Sequence, residues 1–390
     1  MNTELRKHCY APISYMYKHN GKLICEGPVG QPGYPSLPIT RGILQRSLYD
    51  FCRKLEIPVD FGVYVEQYYE TGEKGGVVIS GGRKVEADVV IAADGVGSKS
   101  WNLVTAQKDT LTTSGYSIYQ ATFPIGPALE NPIISKELRD FRSRISVHVG
   151  PDIHIVIGKT ETDISWYITY KDNEFSESSG RGFSETVPLE KALEHVHGWS
   201  AFVTELISFT PSKVATKWKV LWRNPQSKWA SPKGRLIQIG DAAHSFIPTS
   251  NSGATMAWED AFSIAACLGL GGKDNIPHAV RVHNLLRFER TACAQKTGFK
   301  NRERLHRSDW DNVAENSPNI GKFVGDWLLN HDAEQYVYDC YEKASSHIIN
   351  GTPFKNTNSV PGYTFKPWDI FELTEASSRG EVIEDDGDWN

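Results

Sequence analysis

Gly240-Asp241-Ala242-Ala243-His244-Ser245-Phe246-Ile247-Pro248-Thr249, running on to Gly253-Ala254 and Glu259-Asp260-Ala261, decides how the rest of this 390-residue chain is read. An apolar strand, Arg235 to Ile239, leads straight into Gly240-Asp241. Glycine at that point lets the backbone come close to a neighbour, and the Asp241 carboxylate can accept hydrogen bonds from sugar-like hydroxyls. Thirteen residues after Asp241, Ala254 falls in the first turn of an expected helix, along which Gly253, Ala257, Ala261 and Ala265 recur. One side of that helix therefore lacks bulk and admits another backbone or a flat cofactor. Its free amides and dipole favour an anion, such as a pyrophosphate or the N1–C2=O edge of a reduced flavin. Without its surroundings, a Gly-Asp pair reads more readily as a strand-to-helix turn with a capping aspartate.

Two other segments carry a similar logic. Asp88 to Ala93 is almost continuously apolar, as a strand covered on both faces would be, and it delivers Asp94-Gly95-Val96-Gly97-Ser98 at its end. Earlier, Thr40 is a plausible cap for a helix in which Leu44, Leu48, Phe51 and Leu55 repeat with helical spacing, and Arg41 opens it.

Together these segments resemble the flavoprotein aromatic hydroxylases, monooxygenases of the para-hydroxybenzoate hydroxylase type. The pattern G-D-A-A-H, P-T-S-G, G-A and E-D-A is kept at Asp241, His244, Pro248, Thr249, Ser250, Gly253, Ala254, Glu259, Asp260 and Ala261, with departures at Asn251 and Ser252. Asparagine tolerates the left-handed backbone that glycine supplies at such a point. The resemblance implies FAD bound through Arg41, Asp94, Gly240, Asp241, Gly253 and Ala254. NADPH or NADH would be co-substrate and a small aromatic or polyketide-like molecule the substrate. In that family D-G-x-x-S lines the channel between the FAD pyrophosphate and the nicotinamide coenzyme and usually ends in Arg; here position 101 is Trp. Leu221-Trp222-Arg223-Asn224-Pro225 and Trp229 look like fungal members acting in secondary metabolism. Tyr119-Gln120 falls where many members carry an aromatic residue followed by Arg, so Gln120 removes a cation that would hold a phenolate. No catalytic base is assigned by sequence.

The bulk properties narrow the setting. A net charge of −5 offers no basic surface for nucleic acid. Cysteines at 9, 25, 52, 267, 293 and 340 form no close pairs, which argues against a disulfide framework or a metal site and fits reduced thiols in the cytoplasm. No apolar stretch is long enough to span a bilayer. His154 and Trp166 read as core or sheet-face residues, His195 and His197 as a solvated helix end. Lys300 to Arg307 reads as a charged helix face.

The Gly-rich βαβ unit that holds the ADP half of FAD in that family is missing. Only 40 residues precede Arg41; they read as Gly/Pro-rich loop without an apolar strand, and Gly27 to Gly33 do not form a phosphate cradle. The expected fold is α/β: a truncated FAD-binding domain of the para-hydroxybenzoate hydroxylase type, an inserted β-rich substrate domain and C-terminal helices. Its segments are 1–110 and 216–345 for the FAD-binding part, 111–215 for the substrate domain and 346–390 for an irregular trailing segment with a disordered acidic end. Two functions stay open on sequence alone. One is a flavin monooxygenase acting on an aromatic or enolic molecule; the other is a cofactor-free member, either a binding protein or a non-redox cyclase.

Overall fold

A computed structural model describes residues 5, 13–31, 34–35, 39–106, 111–172, 184–308, 310, 321–381 and 386–389. The chain divides into two compact units, one of residues 1–60, 113–220 and 303–321, the other of 61–112, 221–302 and 322–390.

The first unit is built on an eight-stranded sheet. Its order is Ser184–Pro188, Val214–Trp222, Thr112–Pro124, Asp163–Lys171, Ile153–Lys159, Arg144–Gly150, Ile13–Lys18 and Leu23–Pro28. Alternation along the central strands puts Tyr119, Phe123, Ile155, Ile157, Ile164, Trp166 and Ile168 on one face. There they pack under Ile134 and Leu138 of the helix Pro132–Leu138 and under Val203, Leu206 and Ile207 of the helix Ala201–Ser208. Each fully buried side chain of this size contributes about 1.5–3 kcal/mol. Trp166 is wholly buried and its indole N–H donates to Thr210 Oγ1 at 3.0 Å, so the burial leaves no orphan donor. Asn131 caps the Pro132–Leu138 helix by accepting from the Ile133 and Ile134 amides, with proline at the first helical position.

Several elements depart from the sequence expectation. Residues 13–28 are two strands and not loop. Ile13–Lys18 alternates, with Tyr15 and Tyr17 on the face where the Arg144 guanidinium lies 4.5 Å over the Tyr15 ring and donates to the Tyr17 hydroxyl. Six alternating residues are a weak signal beside the glycines and prolines around them; Pro32 and Gly33 lie outside the described residues. The helix expected across 189–207 is broken into Glu190–Leu193, a 3₁₀ turn Glu194–Val196 and Ala201–Ser208, around Gly198 at φ 79°. His195 is not a solvated helix end: its ring packs on Tyr170 with centroids 4.0 Å apart. Nor is the 300–307 run wholly solvated, since Arg302 and His306 are buried and His306 Nε2 lies 2.6 Å from His154 Nδ1.

The second unit holds a three-stranded antiparallel sheet, Val65–Glu70, Gly75–Ile79 and Lys84–Ala87, and a parallel pair, Val90–Ala92 with Leu236–Gln238. The strand expected across 88–93 is thus only three residues long. Ala92 is fully buried while Ile91 is 42% exposed, so one face is covered and not two. The helices Gly253–Gly271, Ile276–Arg307 and Ala333–Asn350 pack through Ala266, Cys267, Val282, Leu286, Val337 and Ala344. The trailing segment is ordered where described. Asp369 caps the helix Ile370–Ser378, and Trp389 meets the rings of Trp327 and Tyr363, the latter at 5.2 Å. Acidic composition hid that aromatic anchor; of the span 381–388 expected to be disordered, residues 382–385 lie outside the described residues. No described helix is long and apolar enough to cross a membrane, and no cluster of metal-ligating side chains occurs among the described residues. Cys25, Cys52, Cys267, Cys293 and Cys340 are all free thiols.

Three buried histidines, and the half-buried His331, are held neutral. Burial pushes His148 and His283 down to about 3, and His154 and His331 down to about 4. The unfolded chain takes up these protons near pH 6.5 while the folded chain refuses them. Their contribution is complete above pH 6.5 and is lost as pH falls toward 4, each group costing up to ~1.4 kcal/mol per pH unit. Urea midpoints measured from pH 7.5 to 4.5 should therefore fall steadily below pH 6.5; a flat profile would contradict the burial.

Candidate functional site

The parallel pair sets the site. Leu236, Ile237 and Gln238 lie opposite Val90, Ile91 and Ala92, and the Ile239 N–H donates to the Ala92 carbonyl at 3.0 Å. Both strands end at the same edge, so Asp94-Gly95 and Gly240-Asp241 leave it side by side. Carboxyl ends of parallel strands are where open α/β sheets bind ligands. Gly95 and Gly240 turn the chain at φ 79° and 56°. A Cβ on Gly240 would stand 3.2 Å from the Ala257 Cβ, so the turn sits directly on the small-residue side of the Gly253–Gly271 helix.

That helix begins in an unusual state. After the 3₁₀ turn Pro248–Ser250, Asn251 takes φ 53°, the left-handed conformation a glycine would supply. Ser252 precedes the helix but its side chain does not cap it; the Oγ is buried with no hydrogen-bond partner among the described residues. The opening amides at Gly253 and Ala254 thus lack a side-chain acceptor, and Ala254 is exposed. From below, the Ile276–Arg307 helix grips the preceding loop. Gln295 Nε2 donates to the Ser245 carbonyl at 2.7 Å, Asn301 Nδ2 to the Thr249 carbonyl at 3.0 Å, and Thr249 Oγ1 to the Gly298 carbonyl at 2.7 Å.

The two motif loops are tied together. Gln238 Nε2 donates to Ser100 Oγ at 2.8 Å, and Ser100 Oγ lies 2.6 Å from Ser98 Oγ. Arg223 is buried. Its Nη2 donates to the Val96 carbonyl at 2.6 Å, its backbone N–H to Ser245 Oγ at 3.0 Å, and its guanidinium lies 4.6 Å over the Trp101 ring. Where the motif commonly ends in arginine, this chain therefore stacks an arginine from elsewhere on its tryptophan. Asp94 is exposed; its Oδ2 accepts from the Lys99 amide at 3.3 Å, and burial, then the Asp94 charge, push the neighbouring Tyr68 hydroxyl up. Asp241 is also exposed.

Behind Gly240 lies a buried ionic group that the sequence reading left unassembled. Asp260 has no exposed surface. Its Oδ2 accepts from the Gly240 N–H at 2.9 Å and from His244 Nε2 at 2.5 Å, and its Oδ1 from Arg287 Nε at 2.8 Å. Glu259 accepts from Arg287 Nη1 at 2.5 Å and from Arg290 Nε and Nη2, both at 2.8 Å. Arg290 also donates to the carbonyls of Trp327 and Asn358, at 3.0 and 2.8 Å. Burial alone would push the Asp260 carboxyl up; His244 and Arg287 outweigh it and hold the group well below the usual carboxylate range. The signal in the sequence was an acidic pair inside a helix otherwise rich in small and apolar residues, which demands buried cations nearby. Arg287 and Arg290, three apart on another helix, supply them.

Of the six residues expected to bind cofactor, Asp94, Gly240, Asp241, Gly253 and Ala254 belong to the second unit and to the elements just described. Arg41 belongs to the first unit, exposed at the head of the helix Arg41–Lys54, with no hydrogen bond or ion pair among the described residues.

Comparison with known proteins bears on the family. The profile of the FAD binding domain family matches residues 44–273. The chain is 34% identical to the FAD-dependent monooxygenase fsr3 of Gibberella fujikuroi, over all of this chain and 78% of that protein. It is 36% identical to the FAD-dependent monooxygenase dmxR9 of a Cryptosporiopsis species, over 98% of this chain and 75% of that one. Among solved structures, that of CtdE in complex with FAD and its substrate 4 superposes with a TM-score of 0.79 at 26% identity, covering 89% of this chain and 85% of CtdE. A left-handed Gly-Asp turn seated on an uncapped small-residue helix, within a matched FAD binding domain and alongside such relatives, makes this chain a member of the FAD-dependent monooxygenase family.

Proposed function

We propose that the protein uses NADPH or NADH and O2 to hydroxylate a small aromatic or enolic, polyketide-like molecule in the cytoplasm, as a step of fungal secondary metabolism. The observation that carries this reading is the shared edge of the parallel pair, where Asp94 and Asp241 emerge and the Gly240 turn sits on the Gly253–Gly271 helix, whose start is uncapped.

These residues fit FAD. A side chain at 240 would push the turn off Ala257, and the helix start has unfilled donors for an anionic or carbonyl edge. Asp241 would accept from sugar-like hydroxyls, and the Gly253 and Ala254 amides would face the anionic edge. The Asp94 loop would line the path of the nicotinamide coenzyme. Bound FAD supplies hydride acceptance and oxygen activation. The chain's own task is to hold and orient. Asp260 fixes the Gly240 N–H and the His244 ring at once, which sets where Asp241 points. With two carboxylates matched by two guanidiniums, the buried group leaves the positive end of the helix dipole free to act on a ligand.

Titrating the purified chain with FAD should give saturable quenching of flavin fluorescence and a perturbed visible spectrum, followed by NAD(P)H oxidation that accelerates with an aromatic substrate. A folded chain that leaves FAD unbound would overturn the monooxygenase reading and favour a cofactor-free role. Asp241→Ala should weaken FAD about tenfold through lost hydrogen bonds while changing stability by less than ~0.5 kcal/mol, because the side chain is exposed.

Asp260→Asn should behave differently. The amide nitrogen confronts donors, and Arg287 loses half its compensation, so unfolding free energy should fall by about 3–5 kcal/mol together with FAD affinity. Chemical denaturation and flavin titration on one sample separate the two variants.

A further inference from the structure

The eight-stranded sheet has a second face, opposite the helices that cover Trp166 and Ile168. Gln120 and Tyr167 are directly paired across adjacent strands on it, and Thr122 lies opposite Ser165 with their hydroxyl oxygens 2.8 Å apart. Trp218, on the other neighbouring strand, donates its indole N–H to Gln120 Oε1 at 3.1 Å. Gln120, Tyr167 and Trp218 are half-buried.

The orientation of Gln120 follows from chemistry. An indole nitrogen only donates, so the end of the carboxamide facing Trp218 must be the oxygen. That fixes the two N–H donors of Gln120 on the remaining side. Among the described residues neither that amide nitrogen nor the Tyr167 hydroxyl has a hydrogen-bond partner. Two aromatic faces therefore flank a neutral donor pair and a phenol, with the Thr122 and Ser165 hydroxyls one step along the strands.

The lysines beside Trp218 face away from Gln120. Lys217 and Lys219 flank Trp218 in sequence but alternate to the other side of the strand, where Lys217 Nζ lies 6.0 Å from the Tyr119 ring centre and 3.8 Å from Asp172. An arginine at 120 would set donors against the Trp218 N–H and leave it unpaired. Gln120 and Trp218 thus form a matched neutral pair.

The geometry points to Gln120 as a residue that selects the charge class of the substrate: a flat, neutral molecule whose ring carbonyl accepts from the Gln120 amide, in preference to a carboxylate or phenolate. A neutral carbonyl gives up little water to meet such donors, whereas an anion desolvated without a cation is penalised. The assignment rests on the reading above that an aromatic molecule is the substrate, and its test needs no turnover, so failure of flavin chemistry and failure of this selection are separate results.

Two probes share a shape and differ by one charge: 2-acetylnaphthalene and the 2-naphthoate anion. Binding of each to the full chain, by calorimetry at pH 7.5, should favour 2-acetylnaphthalene at least about tenfold, a difference of ~1.4 kcal/mol. Gln120→Arg should reverse the order. Trp218→Phe, which keeps the ring but frees the carboxamide to flip, should narrow the preference while the far-ultraviolet circular dichroism stays unchanged. Equal affinities in the unaltered chain, binding of neither probe, a preference for naphthoate, or a ratio untouched by Gln120→Arg in a folded variant would each overturn the assignment.

Discussion

One carboxylate without exposed surface, Asp260, governs the geometry of the cofactor half of the chain. It meets a backbone amide at the end of a strand, a histidine in the following loop and an arginine from a different helix. A buried charge is tolerable only when paired and hydrogen-bonded, and this one is both. The neighbouring Glu259 needs the same treatment and receives it from Arg287 and Arg290. Apolar residues of similar volume could offer comparable stability. They could not fix the direction of the Gly240 N–H, and so of the turn that presents Asp241.

Much of this was legible in the sequence because short-range patterns carried it. The strand, glycine, aspartate and small-residue helix are contiguous, and Gly240 against Ala257 follows from their spacing. Asn251 is left-handed, as its chemistry allows. What stayed hidden was long-range. No local pattern says that Arg287 reaches Asp260, or that Arg223 lies on Trp101. The strand Ile13–Lys18 was lost for the same reason: its partner in the sheet is Arg144–Gly150, and the sequence around it speaks only of turns. At the other end, Trp389 packs against Trp327 and Tyr363 although the acidic residues before it suggest solvent.

Two departures from the family pattern turn out to have partners. Trp101 takes the place of a common arginine and carries the Arg223 guanidinium on its ring. Gln120 stands where arginine is frequent and receives the Trp218 indole N–H. In each case a charged position has been exchanged for one that completes a contact with a residue more than ninety positions away, so the substitutions are to be understood in pairs. A residue-by-residue reading sees only lost cations.

The parallel pairing of Ile13–Lys18 with Arg144–Gly150 also bears on biosynthesis. The first of these strands leaves the ribosome about 130 residues before the second, which at 5–20 residues per second is a delay of roughly 7–26 s. Throughout that interval an alternating aromatic strand has at most the adjacent Leu23–Pro28 to pair with, and its other edge is open to any passing strand. Loop-closure entropy must also be met before the contact can form. The hairpin Ile13–Pro28 thus presents an unpaired, aromatic edge for longer than the finished, fully paired position of Ile13–Lys18 in the sheet would suggest.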